Sequence, residues 1–177
     1  GKLNMFVIAD RINGMFDDIN EAIQAKNASA IQDVAKELLA GGATALDINA
    51  GKDVKDPKGV LVWMAETIRE VTDAYICVDT AKPEIMKAVV PQVPGKKIMN
   101  STKADPEMAM EYIGLAMEND SSLIGLTIDA EGVPGNVEKR VECGAAFLMT
   151  AMESGMSPEN IYLDPIILPV NVAPKQP

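Results

Sequence analysis

Histidine is absent from the 177 residues of this chain. Without an imidazole the chain cannot carry Ser-His-Asp hydrolysis or general-base catalysis by histidine, and it offers no histidine ligand for an ordinary catalytic zinc or iron site. Any chemistry must therefore rely on carboxylates, amides or a bound organic group.

Cysteines and long apolar runs are also scarce. Cys77 and Cys143, the two cysteines, lie inside apolar stretches, which predicts buried, reduced thiols rather than a disulfide framework. No apolar run approaches the roughly 18 residues that a membrane span needs, and the first residues lack the pattern of a secretory signal. We therefore expect a soluble cytoplasmic protein with no membrane partner.

Basic residues are outnumbered, 16 against 26 acidic ones, so the formal net charge is −10. Such a chain repels polyanions at long range and lacks a basic face that could follow a phosphate backbone, so we expect no nucleic-acid partner. The hydrophobic content of 47% is enough for one sizeable core. We predict a single domain over residues 1–177.

Short apolar runs alternate with longer segments of helical periodicity. Runs that are apolar on both faces are typical of buried parallel strands. We predict six strands, at residues 3–10, 44–49, 74–79, 96–100, 122–129 and 161–167. We predict five helices, at residues 29–40, 57–72, 83–91, 106–118 and 137–154.

Details of the helices add further predictions. Ser29 and Gln32 match a capping box, and Asp56 and Asp105 each precede a proline, as N-caps do. In the helix at 137–154, an apolar stripe is predicted to face the core. That stripe consists of Val137, Val141, Ala145, Leu148 and Met152.

Repeated βα units form either an open doubly wound sheet or a closed barrel. The first βα turn lacks the G-x-G-x-x-G pattern and no P-loop occurs, whereas strand after strand ends in a polar residue. This combination favours an α/β fold of the (β/α)8 TIM barrel type. Because such a barrel needs about 250 residues, only about six of its eight units are expected, with the C-terminal part incomplete.

Carboxylates and amides occupy the predicted strand ends. The carboxyl ends of barrel strands meet around one mouth, so these side chains would form a surface of hydrogen-bond acceptors. A pterin ring presents a matching row of N–H donors, and an acceptor left unpaired by a wrong ligand costs about 1–3 kcal/mol. The predicted strand-end residues are Asp10, Asn13, Asp47, Asn49, Asp79, Asn100, Asp129 and Asp164.

Two other interpretations of these residues stay open. A single Asp or Asn at a strand end more often caps a helix or stabilises a turn. Clustered carboxylates are also suitable ligands for Mg²⁺, although we predict no metal site.

Several motifs resemble the methyltetrahydrofolate:corrinoid methyltransferases, a family of pterin-binding barrels. The likeness runs along the whole chain in order and spacing, and includes the branches that serve a corrinoid iron–sulfur protein and O-demethylase or glycine-betaine systems. The motifs are IADRINGMF at 8–16, GGA at 41–43, LDIN at 46–49, CVDT at 77–80, MNST at 99–102, LIGLT at 123–127 and DPIILP at 164–169.

The resemblance implies that Asp79, Asn100 and Asp164 hold the pterin ring, with Asp79 and Asn100 also serving catalysis. Asp47 and Asn49 match the second-strand pair, expected at the pocket floor. Asp10 stands where many members have glutamate, so its contact with the ligand is expected to be shorter or water-mediated.

The resemblance also implies the reaction and the partners. A methyl group would pass between a cobalt corrinoid and N5 of tetrahydrofolate, so tetrahydrofolate or 5-methyltetrahydrofolate is the expected substrate. Since the chain has no histidine or recognisable corrinoid-binding segment, the corrinoid is expected on a separate protein. Family likeness alone suggests a homodimer.

Three rival functions remain at this point. A dihydropteroate synthase-like enzyme uses a similar pterin pocket, but its first loop normally carries an N-x-T-x-D-S-F type of segment, whereas this chain has RINGMFDD at 11–18. The other two are a non-catalytic fragment of the barrel and a Mg²⁺-dependent lyase.

Overall fold

The computed structural model describes residues 5–52 and 54–168, where strands and helices alternate along the chain. The strands are β1 (Ile8–Asn13), β2 (Ala45–Asn49), β3 (Tyr75–Asp79), β4 (Lys97–Lys103), β5 (Ser121–Leu126) and β6 (Ile161–Asp164). The helices are α1 (Asp17–Gln24), α2 (Ala28–Ala40), α3 (Pro57–Arg69), α4 (Pro83–Val89), α5 (Pro106–Glu118) and α6 (Val137–Glu153).

The chain forms two compact units, Gly1–Met99 and Asn100–Pro177. The alternation confirms the α/β class, while the single domain over 1–177 stays a prediction. None of the helices in the described ranges is both long and apolar enough to cross a membrane.

In the first unit, β1, β2 and β3 pair in parallel in that order. β2 lies between its two neighbours and is buried up to Asn49, as expected for a parallel strand covered on both faces. β1 pairs with β2 through a register shift between Ala9 and Ile12 and continues to Asn13. The predicted end of the first strand at Asp10 was therefore wrong, and residues 3 and 4 lie outside the described ranges.

Side chains that lie just before a helix cap its first turn and so define where the helix begins. Asp56 Oδ1 accepts a hydrogen bond from Gly59 N at 2.9 Å, and Asp105 Oδ1 accepts one from Met108 N at 3.0 Å, which confirms both aspartate caps. The capping box predicted for the 29–40 helix was wrong. Asn27 caps α2 by accepting from Ala30 N at 3.2 Å.

Arg69 at the end of α3 ties that helix to the segments before β3 and β4. Its guanidinium donates to the backbone carbonyl oxygens of Thr72, Ala74, Pro94 and Lys96 over 2.9–3.2 Å. Burial lowers the pKa of Arg69 from its usual value, and a nearby negative charge from Asp73 opposes the shift. One side chain thereby pairs with four backbone carbonyls, and one of these, Lys96 O, also accepts from Ile76 N at 3.1 Å.

In the second unit, β5 and β6 pair in parallel, and α6 packs with Phe147 against β5. The stripe predicted to face the core was wrong, because Val137, Val141 and Met152 are 51%, 63% and 49% exposed. Apolar residues occupy two faces of α6. The face with Phe147 is the buried one, because Gly125 leaves room for the Phe147 ring. The buried face of α6 consists of Cys143, Gly144, Phe147 and Ala151.

Both cysteines are confirmed as free and buried. β4 extends to Lys103 and β5 ends at Leu126, so the predicted strand ends at 100 and 129 were wrong. Asp129 lies in a loop, where it accepts from Glu131 N at 2.8 Å and forms an ion pair with Lys139 at 3.2 Å. This aspartate supports its own loop, as the turn interpretation expects.

Candidate functional site

The ends of β2 and β3 bring Asn49 and Asp79 together. Asn49 Nδ2 donates to Asp79 Oδ2 at 2.7 Å, and both side chains are half-buried. Asn49 Oδ1 accepts from the backbone N of Gly51 at 2.8 Å, so the amide is held at both ends. Asp79 thus has one oxygen oriented by Asn49 and a second oxygen that can accept from a ligand.

The carboxyl group of Asp79 is electrostatically perturbed. Burial raises its pKa, the hydrogen bond from Asn49 opposes that rise, and the negative charge of Asp10 adds to it. A cationic or N–H-rich ligand would relieve both the desolvation and the repulsion. Perturbed carboxyl groups in concave sites are candidates for function on this physical ground.

Asp47 lies two residues before Asn49 on β2 and is only 3% exposed. It pairs across the ladder with Cys77. Burial raises the pKa of the Cys77 thiol well above its ordinary value, and the negative charges of Asp47 and Asp79 add to this rise. The protonated thiol hydrogen-bonds to Asp47, which gives this buried carboxylate a structural partner.

The β1 residues divide between the site and the surface. Asp10 is exposed in the middle of β1, and its negative charge raises the pKa of Asp79. Asn13 is the last residue of the strand. Arg11 turns to other partners. Its guanidinium donates to Asp18 Oδ2 at 2.7 Å and lies 4.3 Å from the centre of the Phe16 ring.

Two glycines allow the loops after β1 and β2 to touch. Gly14 N donates to Asn49 O at 2.9 Å, and a Cβ on Gly14 would collide with the backbone of Ala50. Gly51 has a φ of +84°, and a Cβ there would lie 2.6 Å from Gly14 C. Only glycine satisfies both the contact and the left-handed backbone at position 51.

A cavity of about 510 Å³ opens beside the Asn49–Asp79 pair, between the loops that follow β2 and β3. Met15, Lys52 and Lys82 contribute to its lining, as do residues of α3 and α4. Sequence patterns did not single out the two lysines. Each follows a strand end by three residues, which is the one signal that could have drawn attention to them.

In the second unit, Asn100 and Asp164 are both half-buried. Asn100 lies within β4, whereas Asp164 ends β6. The strand predicted over 161–167 therefore ends three residues earlier than expected. Asp164 Oδ1 accepts from Ile166 N at 2.8 Å, and Arg140 Nη1 donates to the carbonyls of Pro165 and Ile166 at 2.6 and 3.0 Å. The loop after β6 is thus held from two sides.

A metal site would need several ligands close together. Within residues 5–52 and 54–168, no group of three or more cysteine, aspartate or glutamate side chains is placed to hold a metal ion. The Mg²⁺ interpretation therefore has no ligand cluster to build on in these ranges.

Comparison with known proteins adds a family and a fold. A family model described as "Pterin binding enzyme" matches residues 10–176. The methylcorrinoid:tetrahydrofolate methyltransferase of Eubacterium limosum is 29% identical over 166 residues, which cover 93% of this chain and 61% of that protein. The methionine synthase of Mycobacterium leprae is 25% identical over 147 residues, 80% of this chain and 12% of that protein.

Among solved structures, the dihydropteroate synthase from Xanthomonas albilineans in complex with 7,8-dihydropteroate is similar with a TM-score of 0.64. It is 19% identical, and the match covers 90% of this chain and 60% of that one. This likeness confirms the fold of a pterin-binding TIM barrel. The chain spans about three fifths of the length of the methyltransferase and of this synthase.

Proposed function

Because the chain belongs to the pterin-binding enzyme family, we propose that it acts in methyl transfer between a protein-bound cobalt corrinoid and N5 of tetrahydrofolate. The Asn49–Asp79 pair beside the 510 Å³ cavity is the observation that carries the proposal. The similarity to a methylcorrinoid:tetrahydrofolate methyltransferase supports the choice of reaction.

Recognition of the ring follows from the chemistry of the acceptors. Asp79, Asn100 and Asp164 receive the N–H groups along one edge of the pterin, each from a different strand. Asn49 keeps Asp79 in the orientation for this contact. The buried Asp47 supports the pocket floor through Cys77, and Asp10 adds negative charge near the mouth.

The chemical step is an in-line displacement at the methyl carbon. When tetrahydrofolate is methylated, the lone pair on N5 forms the new N–C bond, and N5 loses its proton. The corrinoid supplies the methyl group and retains the electron pair of the broken bond. The protein contributes mainly orientation, which raises the effective concentration of N5 at the methyl carbon, so histidine and an activated nucleophile are unnecessary.

The partners follow from this reaction. These 177 residues hold no histidine to bind cobalt, so the corrinoid must come from outside them. The proposal places it on a partner protein that docks transiently over the mouth. Location in the cytoplasm and assembly as a homodimer belong to the same proposal.

The decisive test is titration of tetrahydrofolate into the complete polypeptide that contains this chain. Asp79→Ala, Asn100→Ala and Asp164→Ala should each weaken binding about tenfold, because each loses a charged or amide acceptor. Asp33→Ala, on the exposed side of α2, is the control and should bind like the parent. If Asn100→Ala and Asp164→Ala both bind as tightly as the parent, these residues do not hold the ring.

A dihydropteroate synthase-like reaction is the second candidate, favoured by the structural likeness to those enzymes. The RINGMFDD segment argues against it, because it lacks the N-x-T-x-D-S-F type of loop. Condensation of a pterin pyrophosphate with p-aminobenzoate by the purified protein would establish this second function instead.

A further inference from the structure

We infer that the cavity beside Asp79 receives the p-aminobenzoyl-glutamate tail of tetrahydrofolate, and that Lys52 and Lys82 bind the tail carboxylates. The inference rests on the proposed function, since it concerns another part of the same ligand. It assigns two residues that determine which reduced pterins the site accepts.

The cavity wall has a mixed polar and apolar character. Asn49 and Asp79 are suitable for the N–H groups of a pterin, whereas Met15, Leu61 and Ile85 form an apolar portion. The pterin edge has no use for that portion. The benzoyl ring of the tail does, because it is flat, apolar and covalently attached to the pterin.

Two cationic side chains also contribute to the cavity wall. Lys52 and Lys82 are exposed residues that line the same cavity, one from the loop after β2 and one from the loop after β3. A bare pterin offers mainly donors on its recognition edge, and a lysine cannot accept from them. The glutamate of the tail ends in two carboxylates, which match two flexible point charges.

The size of the cavity and the electrostatic field of the chain are also consistent with binding of the tail. The cavity volume of about 510 Å³ falls within the roughly 300–1,000 Å³ typical of sites for drug-sized ligands. The chain has a net charge of −10, so a dianionic tail is repelled at long range. Local cations beside the site offset that repulsion where the tail enters.

The backbone links the lysines to the ring site. Asn49, which orients Asp79 through Nδ2, holds the backbone N of Gly51 through Oδ1, immediately before Lys52. Lys82 N donates to Thr80 Oγ1 at 3.2 Å, one residue beyond Asp79. The backbone before Lys52 is therefore held by Asn49, and the backbone of Lys82 by Thr80, the residue that follows Asp79.

The test compares two ligands in calorimetric titrations of the complete polypeptide. Tetrahydrofolate carries the tail, and 6-methyltetrahydropterin has the same reduced ring without it. Lys52→Gln and Lys82→Gln should each weaken tetrahydrofolate binding about threefold, and the double variant about tenfold, as expected for exposed ion pairs. Binding of 6-methyltetrahydropterin should stay within about twofold of the parent for the same variants.

Lys55→Gln is the matched control, because Lys55 lies on the same loop but lines a different cavity. Added salt should weaken tetrahydrofolate binding in the parent more than in the double variant, since screening acts on the ion pairs.

If the double variant binds tetrahydrofolate like the parent while Asp79→Ala loses both ligands, the tail assignment is wrong and the proposed function stands. If the parent binds neither ligand, the proposed function fails and the tail assignment fails with it.

Discussion

At the scale of single residues, Asp79 combines a cost in stability with a proposed role in binding. Its folded pKa is raised by burial, against the hydrogen bond from Asn49 and together with the charge of Asp10. A carboxyl group with a raised folded pKa contributes its full stability below the unfolded pKa, about 3.9, and that contribution is lost as pH rises through the folded pKa. The folded protein is therefore less stable when Asp79 is ionised than when Asp79 is protonated.

Asp79→Asn should accordingly increase the free energy of unfolding relative to the parent at neutral pH, and the gain should shrink toward zero as the pH falls below the unfolded pKa. The asparagine oxygen can still accept from Asn49, so the change removes mainly the charge. Urea unfolding at a series of pH values measures the difference. Weaker binding of tetrahydrofolate should accompany the gain in stability.

Asp129→Asn is a control for which we expect the opposite change in the free energy of unfolding. The backbone N–H of Glu131 and the Lys139 ammonium hold the pKa of Asp129 below its usual value. Its stabilising contribution is present above the unfolded pKa and is lost as pH falls through the folded pKa, so this variant should be less stable than the parent at neutral pH. A gain for both variants would contradict the assignment of causes.

At the scale of elements, the position of α6 depends on the lack of a side chain at Gly125. Gly125 on β5 lies against the Phe147 ring, and a Cβ there would overlap it. Gly125→Ala should lower the free energy of unfolding by about 1–3 kcal/mol, the usual cost of overpacking a core. Chemical denaturation with a two-state fit measures this loss.

Gly114→Ala is the matched variant for that experiment. Gly114 lies in α5, where an added Cβ meets nothing within 4 Å, so alanine should stabilise the helix by about 0.5–1 kcal/mol. A gain in stability at position 125 like that at position 114 would show that the Phe147 ring does not limit the space at Gly125.

Local signals explain which elements were predictable. Asp56 and Asp105, each before a proline, define helix starts because a cap acts within four residues of chain. The buried side of α6 was not predictable, because apolar residues occupy two of its faces and only the contact with Gly125 selects one. α1 was missed because a helix of eight residues gives too short a periodic signal.

The candidate site likewise contains features that were predictable from the sequence and features that were not. The predicted ends of β2 and β3 at Asn49 and Asp79 are confirmed, because both follow a short apolar run. The bond between them depends on the register of two parallel strands that are far apart in sequence. Lys52 and Lys82 could not be assigned to a cavity, because their positions depend on loop conformations.

At the scale of the whole molecule, Cys77 reports how often the first unit opens. The thiol is fully buried on the central part of β3, and burial raises its pKa, so reagents reach it only through opening of the structure. In a Cys143→Ser background, Cys77 is the remaining thiol of these 177 residues. Labelling should be slow and should accelerate in denaturant.

Tetrahydrofolate should slow that labelling if it binds the closed state alone. At a free concentration about 100 times its Kd, the rate should fall about 100-fold, when closing is fast relative to labelling. The tail-free pterin at the same multiple of its own Kd serves as the comparison. A labelling rate that ignores both ligands would mean that the opening spares the ligand site, contrary to the position of Cys77 beside Asp47 and Asp79.

The contact between Gly14 and Gly51 has a consequence for redesign. The loops after β1 and β2 touch through their main chains, so neither can be lengthened or replaced without refitting the other. A designer who transplants specificity from another barrel should exchange residues 13–16 and 49–52 together, as a paired cassette. A single-loop graft would force apart the two strand ends that present Asn13 and Asn49.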